Sequence, residues 1–169
     1  LSFNIESEAE VYRIEEIASL QNKIVDVAIR FNPEVDSGGH EYIKTGRKGD
    51  KFGISSDDSV LKIADYIHKS KNLNLVGLAC HIGSQIMDLE SYRHTAKNIK
   101  ELAIKIKEIG NKLIFLDLGG GLGIPYENDK TPSPQDLISI IEAELINCLL
   151  YTSDAADDSL RVDLGGRRI

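Results

Sequence analysis

The sequence predicts an α/β protein in which a parallel sheet is covered by helices. Three observations point there. Apolar, β-branched runs at Lys23 to Phe31, Leu73 to Cys80 and Lys112 to Leu118 alternate with segments of helical periodicity. Those runs show little polar alternation, as expected of strands covered on both faces, and such strands belong to parallel sheets. The residues of greatest chemical interest, finally, gather where the runs end.

Each element has a local reason. Leu1 to Ile5 is a short apolar segment, and Glu6-Ser7-Glu8-Ala9-Glu10 then opens a helix. Ser7 followed three residues later by Glu10 is a capping-box pattern, and Val11, Ile14, Ile17 and Ala18 fall on one helical face. The strand Lys23 to Phe31 leads into a long Gly-rich loop, Asn32 to Gly53, of a length usually reserved for function or disorder. Val60, Ile63, Ala64 and Ile67 mark the second helix, and Leu73 to Cys80 the next strand, which ends at His81. Leu89, Tyr92, Ala96, Ile99, Ala103, Ile106 and Ile109 trace the stripe of a long helix closed by Gly110. The strand Lys112 to Leu118 runs into Gly119-Gly120-Gly121. The last helix starts at Ser133-Pro134, an N-cap followed by a proline at the first helical position, and continues through Leu137, Ile138, Ile141 and Leu145. A segment of a barrel and an open doubly wound sheet both satisfy this pattern.

The 169 residues suffice for one ordinary domain, whereas a complete (β/α)8 barrel takes about 250. The composition, 41% hydrophobic and 28% charged, is that of a globular protein. A formal net charge of -7 argues against nonspecific attraction to nucleic acid or to an anionic membrane. No apolar run approaches the ~20 residues that cross a bilayer. The start at Leu1-Ser2-Phe3-Asn4 has neither an initiator Met nor a secretory signal, and reads as a chain entered in mid-strand. Cys80 and Cys148 form no disulfide framework or metal knot, in keeping with a reducing cytoplasm.

From Cys148 to Ile169 the character changes. Asp154-Ala155-Ala156-Asp157-Asp158 has no helical or strand period, and Gly165-Gly166-Arg167-Arg168 follows without context. The tail resembles a translated transposase-type sequencing adapter: one reading of that DNA encodes Cys148 to Asp157, and its distal primer region encodes Val162 to Ile169. Residues 148–169 are therefore expected to be a non-native tail on a domain spanning 1–147. Without them 23 acidic and 17 basic residues remain, a net charge of -6.

In either architecture ligands bind at the carboxyl ends of the strands. Arg30 and Asn32 end one strand, His81, Gly83 and Ser84 the next, and Gly119, Gly120 and Gly121 the last. A glycine triplet after a strand lets bare N–H groups approach an anion, typically phosphate, or else makes a tight turn needing positive φ. The dinucleotide fingerprint fails, because the position three beyond Gly121 is Ile124. His81 reads equally as a hydrogen-bonded core residue, Ser84 as a turn cap, and Asp117 as a carboxylate bonded to backbone. His40, His68 and His94 have no metal-site spacing, and no metal is expected.

Taken together, the segments resemble the pyridoxal-phosphate decarboxylases with an alanine-racemase-like barrel. The resemblance rests on Asn4-Ile5-Glu6-Ser7, Arg30-Phe31-Asn32-Pro33, Lys51-Phe52-Gly53-Ile54, His81-Ile82-Gly83-Ser84-Gln85 and Leu116-Asp117-Leu118-Gly119-Gly120-Gly121-Leu122-Gly123, in the family's order and spacing across nearly all of residues 1–147. The insert Gly39-His40-Glu41-Tyr42-Ile43-Lys44-Thr45-Gly46 is most similar to the diaminopimelate decarboxylase branch. The resemblance implies a partial (β/α)8 TIM barrel and pyridoxal 5'-phosphate as cofactor. It implies His81 stacked on the cofactor ring, Ser84, Gly119, Gly120 and Gly121 at its phosphate, and Arg30 beneath it. The implied reaction takes CO2 from the D-configured centre of meso-2,6-diaminopimelate to give L-lysine, in a cytoplasmic homodimer.

The same resemblance puts the cofactor-anchoring lysine upstream of Leu1. It puts a Glu-x-Gly-Arg segment and a β-domain with its catalytic Cys beyond Asn147. Lys23, Lys44, Lys51 and Lys112 do not sit in the lysine's motif, and Cys80 is not the catalytic Cys. The polypeptide by itself is thus expected to be inactive and poorly folded, with open sheet edges. The alternatives are an ornithine, arginine or carboxynorspermidine decarboxylase, a non-catalytic barrel relative, and an open-sheet nucleotide binder, which the failed fingerprint disfavours.

Overall fold

A computed structural model describes residues 2–35, 52–125 and 131–146. Strands and helices alternate strictly: β1 (Phe3–Ile5), α1 (Glu8–Leu20), β2 (Val25–Arg30), α2 (Asp57–Lys69), β3 (Leu73–Ala79), α3 (Leu89–Ile109), β4 (Phe115–Asp117) and α4 (Pro134–Leu145). The loop insert 39–46, Lys51 and the tail 148–169 lie outside the described residues.

The starts of the helices follow their caps. Ser7 accepts from the Glu10 N–H while Glu10 Oε2 accepts from the Ser7 N–H, completing the capping box. Ser133 and Asp136 repeat the arrangement ahead of Pro134. Ser56 and Asp88 cap α2 and α3. Helix α3 ends at Gly110, whose φ of +110° needs a glycine, and His68 packs where a Cβ would stand.

All four strands are parallel and lie in sequence order, β1-β2-β3-β4. A doubly wound sheet reverses its strand order at a switch point. Crossovers between parallel strands are right-handed as a rule, and here every one advances the same way, which puts the helices on one face and leaves the other as the inside of a barrel. The open question between barrel and open sheet is settled by that order: the described chain is a barrel segment.

The core lies between sheet and helices. Ile5, Val27, Ile29, Leu75, Leu78 and Leu116 from the strands meet Val11, Val60, Ile67, Ile99, Ile106 and Leu137 from the helices. Each such side chain contributes about 1.5–3 kcal/mol when fully buried. The predicted stripe of α2 is buried as expected, and that of α3 is buried except at its two ends, where Leu89 and Ile109 are partly buried. On α1 only Val11 and Ala18 are buried, and Ile17 is 42% exposed. The reason is position: α1 covers the edge strand β1 and, among the described residues, has a helix neighbour on one side only. That neighbour is α2, reached through the edge-to-face pair Tyr12–Tyr66 at 5.0 Å and a Tyr66 hydroxyl that donates to Glu15. β4 is shorter than the expected Lys112 to Leu118, because only Phe115–Asp117 pairs with β3. No helix among the described residues is long and apolar enough to cross a membrane.

Candidate functional site

A β-bulge decides which way the centre of the sheet presents its chemistry. Val27 pairs with Leu75, but Ala28 pairs with Gly77, so Val76 is an extra residue in β3. Before it, Leu73 and Leu75 point into the helix-side core; after it, Leu78, Cys80 and Ile82 do. The parity has changed, and Gly77, Ala79 and His81 share the opposite, inner face. Uninterrupted alternation would have turned His81 into the helices.

His81 is half-buried at the carboxyl end of β3. Burial lowers its pKa below the ordinary 6.5, the Arg30 cation lowers it further, and Asp117 opposes both. The imidazole is therefore neutral near pH 7. Arg30 is fixed from two sides: its Nη1 donates to Glu6 Oε1 at 2.5 Å, and its guanidinium lies 5.4 Å from the Phe52 ring centroid. Its backbone carbonyl accepts from Ile54 N–H at 2.9 Å, which docks the Phe52-Gly53-Ile54 segment on the end of β2.

The glycine run beyond β4 is held at successive peptides. Gly119 N–H donates to Asp117 Oδ1 at 2.7 Å, the Tyr92 hydroxyl donates to Gly120 O at 3.0 Å, and Ile86 N–H donates to Gly121 O at 2.9 Å. Farther on, the Gln85 amide clamps Ile124, donating to its carbonyl and accepting from its N–H. Gly119 and Gly121 have φ of +72° and +97°. A Cβ on Gly119 would stand 2.7 Å from Cys80 O and 2.8 Å from His81 Nδ1, and one on Gly121 would collide with Gly83 O and lie 3.4 Å from Ser84 Cα. Gly120 differs, since a Cβ there meets nothing within 4 Å.

His81, Ser84, Gly119, Gly120 and Gly121 are thus brought together on one rim, with Arg30 near enough to shift His81. Asp117 is the backbone-bonded carboxylate that one reading of the sequence allowed. Asn32 is buried, accepts from Glu34 N–H, and lines a separate cleft of about 230 Å³ with Asn98 and Glu101. Among the described residues no three His, Cys, Asp or Glu side chains are grouped to hold a metal ion. Sequence reasoning missed Glu6, Gln85 and Tyr92 as supports of the rim. Tyr92 had a signal of a kind: a tyrosine on an apolar stripe must place its hydroxyl somewhere.

Residues 2–156 match the family model described as pyridoxal-dependent decarboxylase, pyridoxal binding domain. The chain belongs to this family. Among its relatives, the diaminopimelate decarboxylase of Aquifex aeolicus is 42% identical over 148 residues, covering 87% of this chain and 35% of the relative. That of Archaeoglobus fulgidus is 40% identical over 144 residues, covering 85% and 34%. The crystal structure of the Helicobacter pylori diaminopimelate decarboxylase complexed with L-lysine superposes with a TM-score of 0.83 at 36% identity, covering 86% of this chain and 36% of that one. An arginine decarboxylase of Paramecium bursaria Chlorella virus shares the fold, with a TM-score of 0.64 at 18% identity and coverage of 86% and 35%. The chain spans about a third of the length of the curated relatives it matches.

The family cofactor, pyridoxal phosphate, is a flat ring carrying a phosphate, and the rim of this segment fits such a group. Open space over Gly120 lets a ligand atom reach bare backbone. The exposed Ser84 and the Gly121 peptide lie side by side as donors for an anion. A neutral imidazole at His81 offers a flat face without charge repulsion.

Proposed function

We propose that this chain is an internal segment of a full-length diaminopimelate decarboxylase, which converts meso-2,6-diaminopimelate to L-lysine and CO2. The observation that carries the reading is identity near 40% to diaminopimelate decarboxylases of distant organisms, against 18% for the arginine decarboxylase. In the parent the working unit is a cytoplasmic homodimer, with an amino acid as substrate and neither nucleic acid nor membrane as partner. Residues 1–147 are the native barrel part and 148–169 the non-native tail; the codon-level likeness of the tail to an adapter supports that boundary, although the family match runs to residue 156.

The geometry supports a role for each rim residue. His81 lies against the cofactor ring, kept neutral by burial and by Arg30. Ser84, Gly120 and Gly121 hold the phosphate, while Gly119 contributes its left-handed turn, its own N–H being engaged by Asp117. Arg30, anchored by Glu6, sits beneath and adds positive charge near the anionic group. When bound, the cofactor supplies the sink for the electron pair that CO2 leaves behind. The 169-residue chain alone is inactive, because it holds none of the anchoring-lysine motif.

The test begins with the source DNA across the codons for Leu145 to Tyr151, to recover the full reading frame. The full-length enzyme, loaded with pyridoxal phosphate, is then assayed for CO2 release from meso-diaminopimelate, ornithine, arginine and carboxynorspermidine. Release from meso-diaminopimelate alone is expected. Preference for another substrate would move the protein to a neighbouring branch, and no release from any would make it a non-catalytic relative.

A further inference from the structure

We propose that Tyr92 is a positioning residue: its hydroxyl turns the Gly120–Gly121 peptide so that the Gly121 N–H faces the cofactor phosphate. This rests on the decarboxylase reading and adds to it a residue outside the rim. A trans peptide is planar, so its C=O and N–H point in opposite directions, and no cis peptide bond occurs among the described residues. The Gly120 carbonyl accepts the Tyr92 hydroxyl at 3.0 Å, from the buried side of the loop, where Tyr92 on α3 is 1% exposed. The Gly121 N–H, on the same peptide, is thereby aimed away from α3. The next peptide is set in the same manner, because Ile86 N–H holds the Gly121 carbonyl and leaves the Leu122 N–H on the far side.

Gly120 has no Cβ contact within 4 Å and Gly121 occupies the left-handed region, so side-chain packing does little to hold this peptide. The Tyr92 hydroxyl supplies that constraint. Burial raises its pKa to about 12, which keeps it a donor throughout the working range. Phenylalanine would fill the same space and remove only the hydrogen bond.

The test uses the full-length apoenzyme and its Tyr92→Phe variant, titrated separately with pyridoxal phosphate and with pyridoxal, which lacks the phosphate. The variant is expected to bind pyridoxal phosphate about tenfold more weakly, the size of one hydrogen bond. Pyridoxal affinity should be unchanged, and the phosphorus resonance of the bound phosphate should move. Equal affinity for pyridoxal phosphate, or an equal loss for both ligands, would overturn the proposal. If the variant does not fold, the wild type decides: the Gly121 amide proton, followed in glycine-labelled enzyme, should move downfield when pyridoxal phosphate is added, and a stationary signal overturns the proposal. A wild-type enzyme that binds pyridoxal phosphate no better than pyridoxal would instead sink the decarboxylase reading itself.

Discussion

Arg30 and Glu6 meet across the carboxyl ends of β2 and β1, the Arg30 guanidinium donating to the Glu6 carboxylate at 2.5 Å with side chains 22% and 32% exposed. The pair ties an edge strand to its neighbour at the rim and fixes a cation near His81. At this exposure its value for stability is modest, about 1 kcal/mol or less. Its greater effect is electrostatic.

Replacing Arg30 with methionine should raise the His81 pKa toward its ordinary value, since the arginine cation is one of the causes that lower it. Following the imidazole Cε1–H proton against pH in both proteins measures the change. A His81 pKa that stays put or falls would show that Arg30 does not act on the imidazole.

Stability should fall as pH drops below the unfolded histidine value of 6.5. The sign follows from linkage. His81 has a depressed folded pKa, so between the two values the unfolded chain binds more protons than the native one, and acid favours unfolding. Above pH 6.5 both states carry neutral His81 and the contribution vanishes. Urea midpoints between pH 5 and 8 should show this slope, with a shallower one in His81→Gln.

The three glycines should respond differently to alanine. Gly121→Ala combines positive φ with a collision at Gly83 O, and Gly119→Ala combines positive φ with close approach to Cys80 O. Each is expected to cost about 2 kcal/mol or more. Gly120→Ala meets open space and should change stability by about 0.5 kcal/mol or less. It should nevertheless weaken pyridoxal-phosphate binding, because its methyl group would stand where the proposed site receives the phosphate. Denaturant unfolding and cofactor titration on the same samples separate the two effects.

Ser133→Ala should cost about 1 kcal/mol, because the Ser133 hydroxyl caps the Asp136 N–H at the start of α4. Thermal unfolding of the full-length enzyme reads it directly. An unchanged midpoint would show that Pro134 and Asp136 suffice to start the helix.

Deleting Val76 should remove the bulge without turning His81. Strict alternation along the shortened strand keeps Leu73, Leu75, Leu78 and Cys80 on the helix side and His81 on the inner face. Cofactor absorbance of the purified full-length deletion variant should therefore be retained. Its loss would show that the bulge matters through the local twist it adds and not only through the parity it sets.

The elements were legible because their causes are local. Ser7 with Glu10, Ser133 with Pro134, and the stripe from Leu89 to Ile109 each act over one to a few helical turns, and all appear where expected. Ile17 was misplaced because its exposure depends on which neighbours α1 has, and periodicity is blind to that. The rim residues His81, Ser84 and Gly119 to Gly121 could be named because chemistry collects at the ends of parallel strands.

Sequence by itself determined the alternation of strands and helices, the caps and the glycine run, since each depends on residues close together in the chain. Tertiary structure alone decided the strand order that makes the sheet a barrel segment, the Val76 bulge that turns His81 inward, and the clamps of Tyr92 on Gly120 and Gln85 on Ile124. Those two clamps join residues 28 and 39 positions apart. No local pattern encodes such pairings, because they exist only once packing has set α3 and the loop after β3 against the loop after β4.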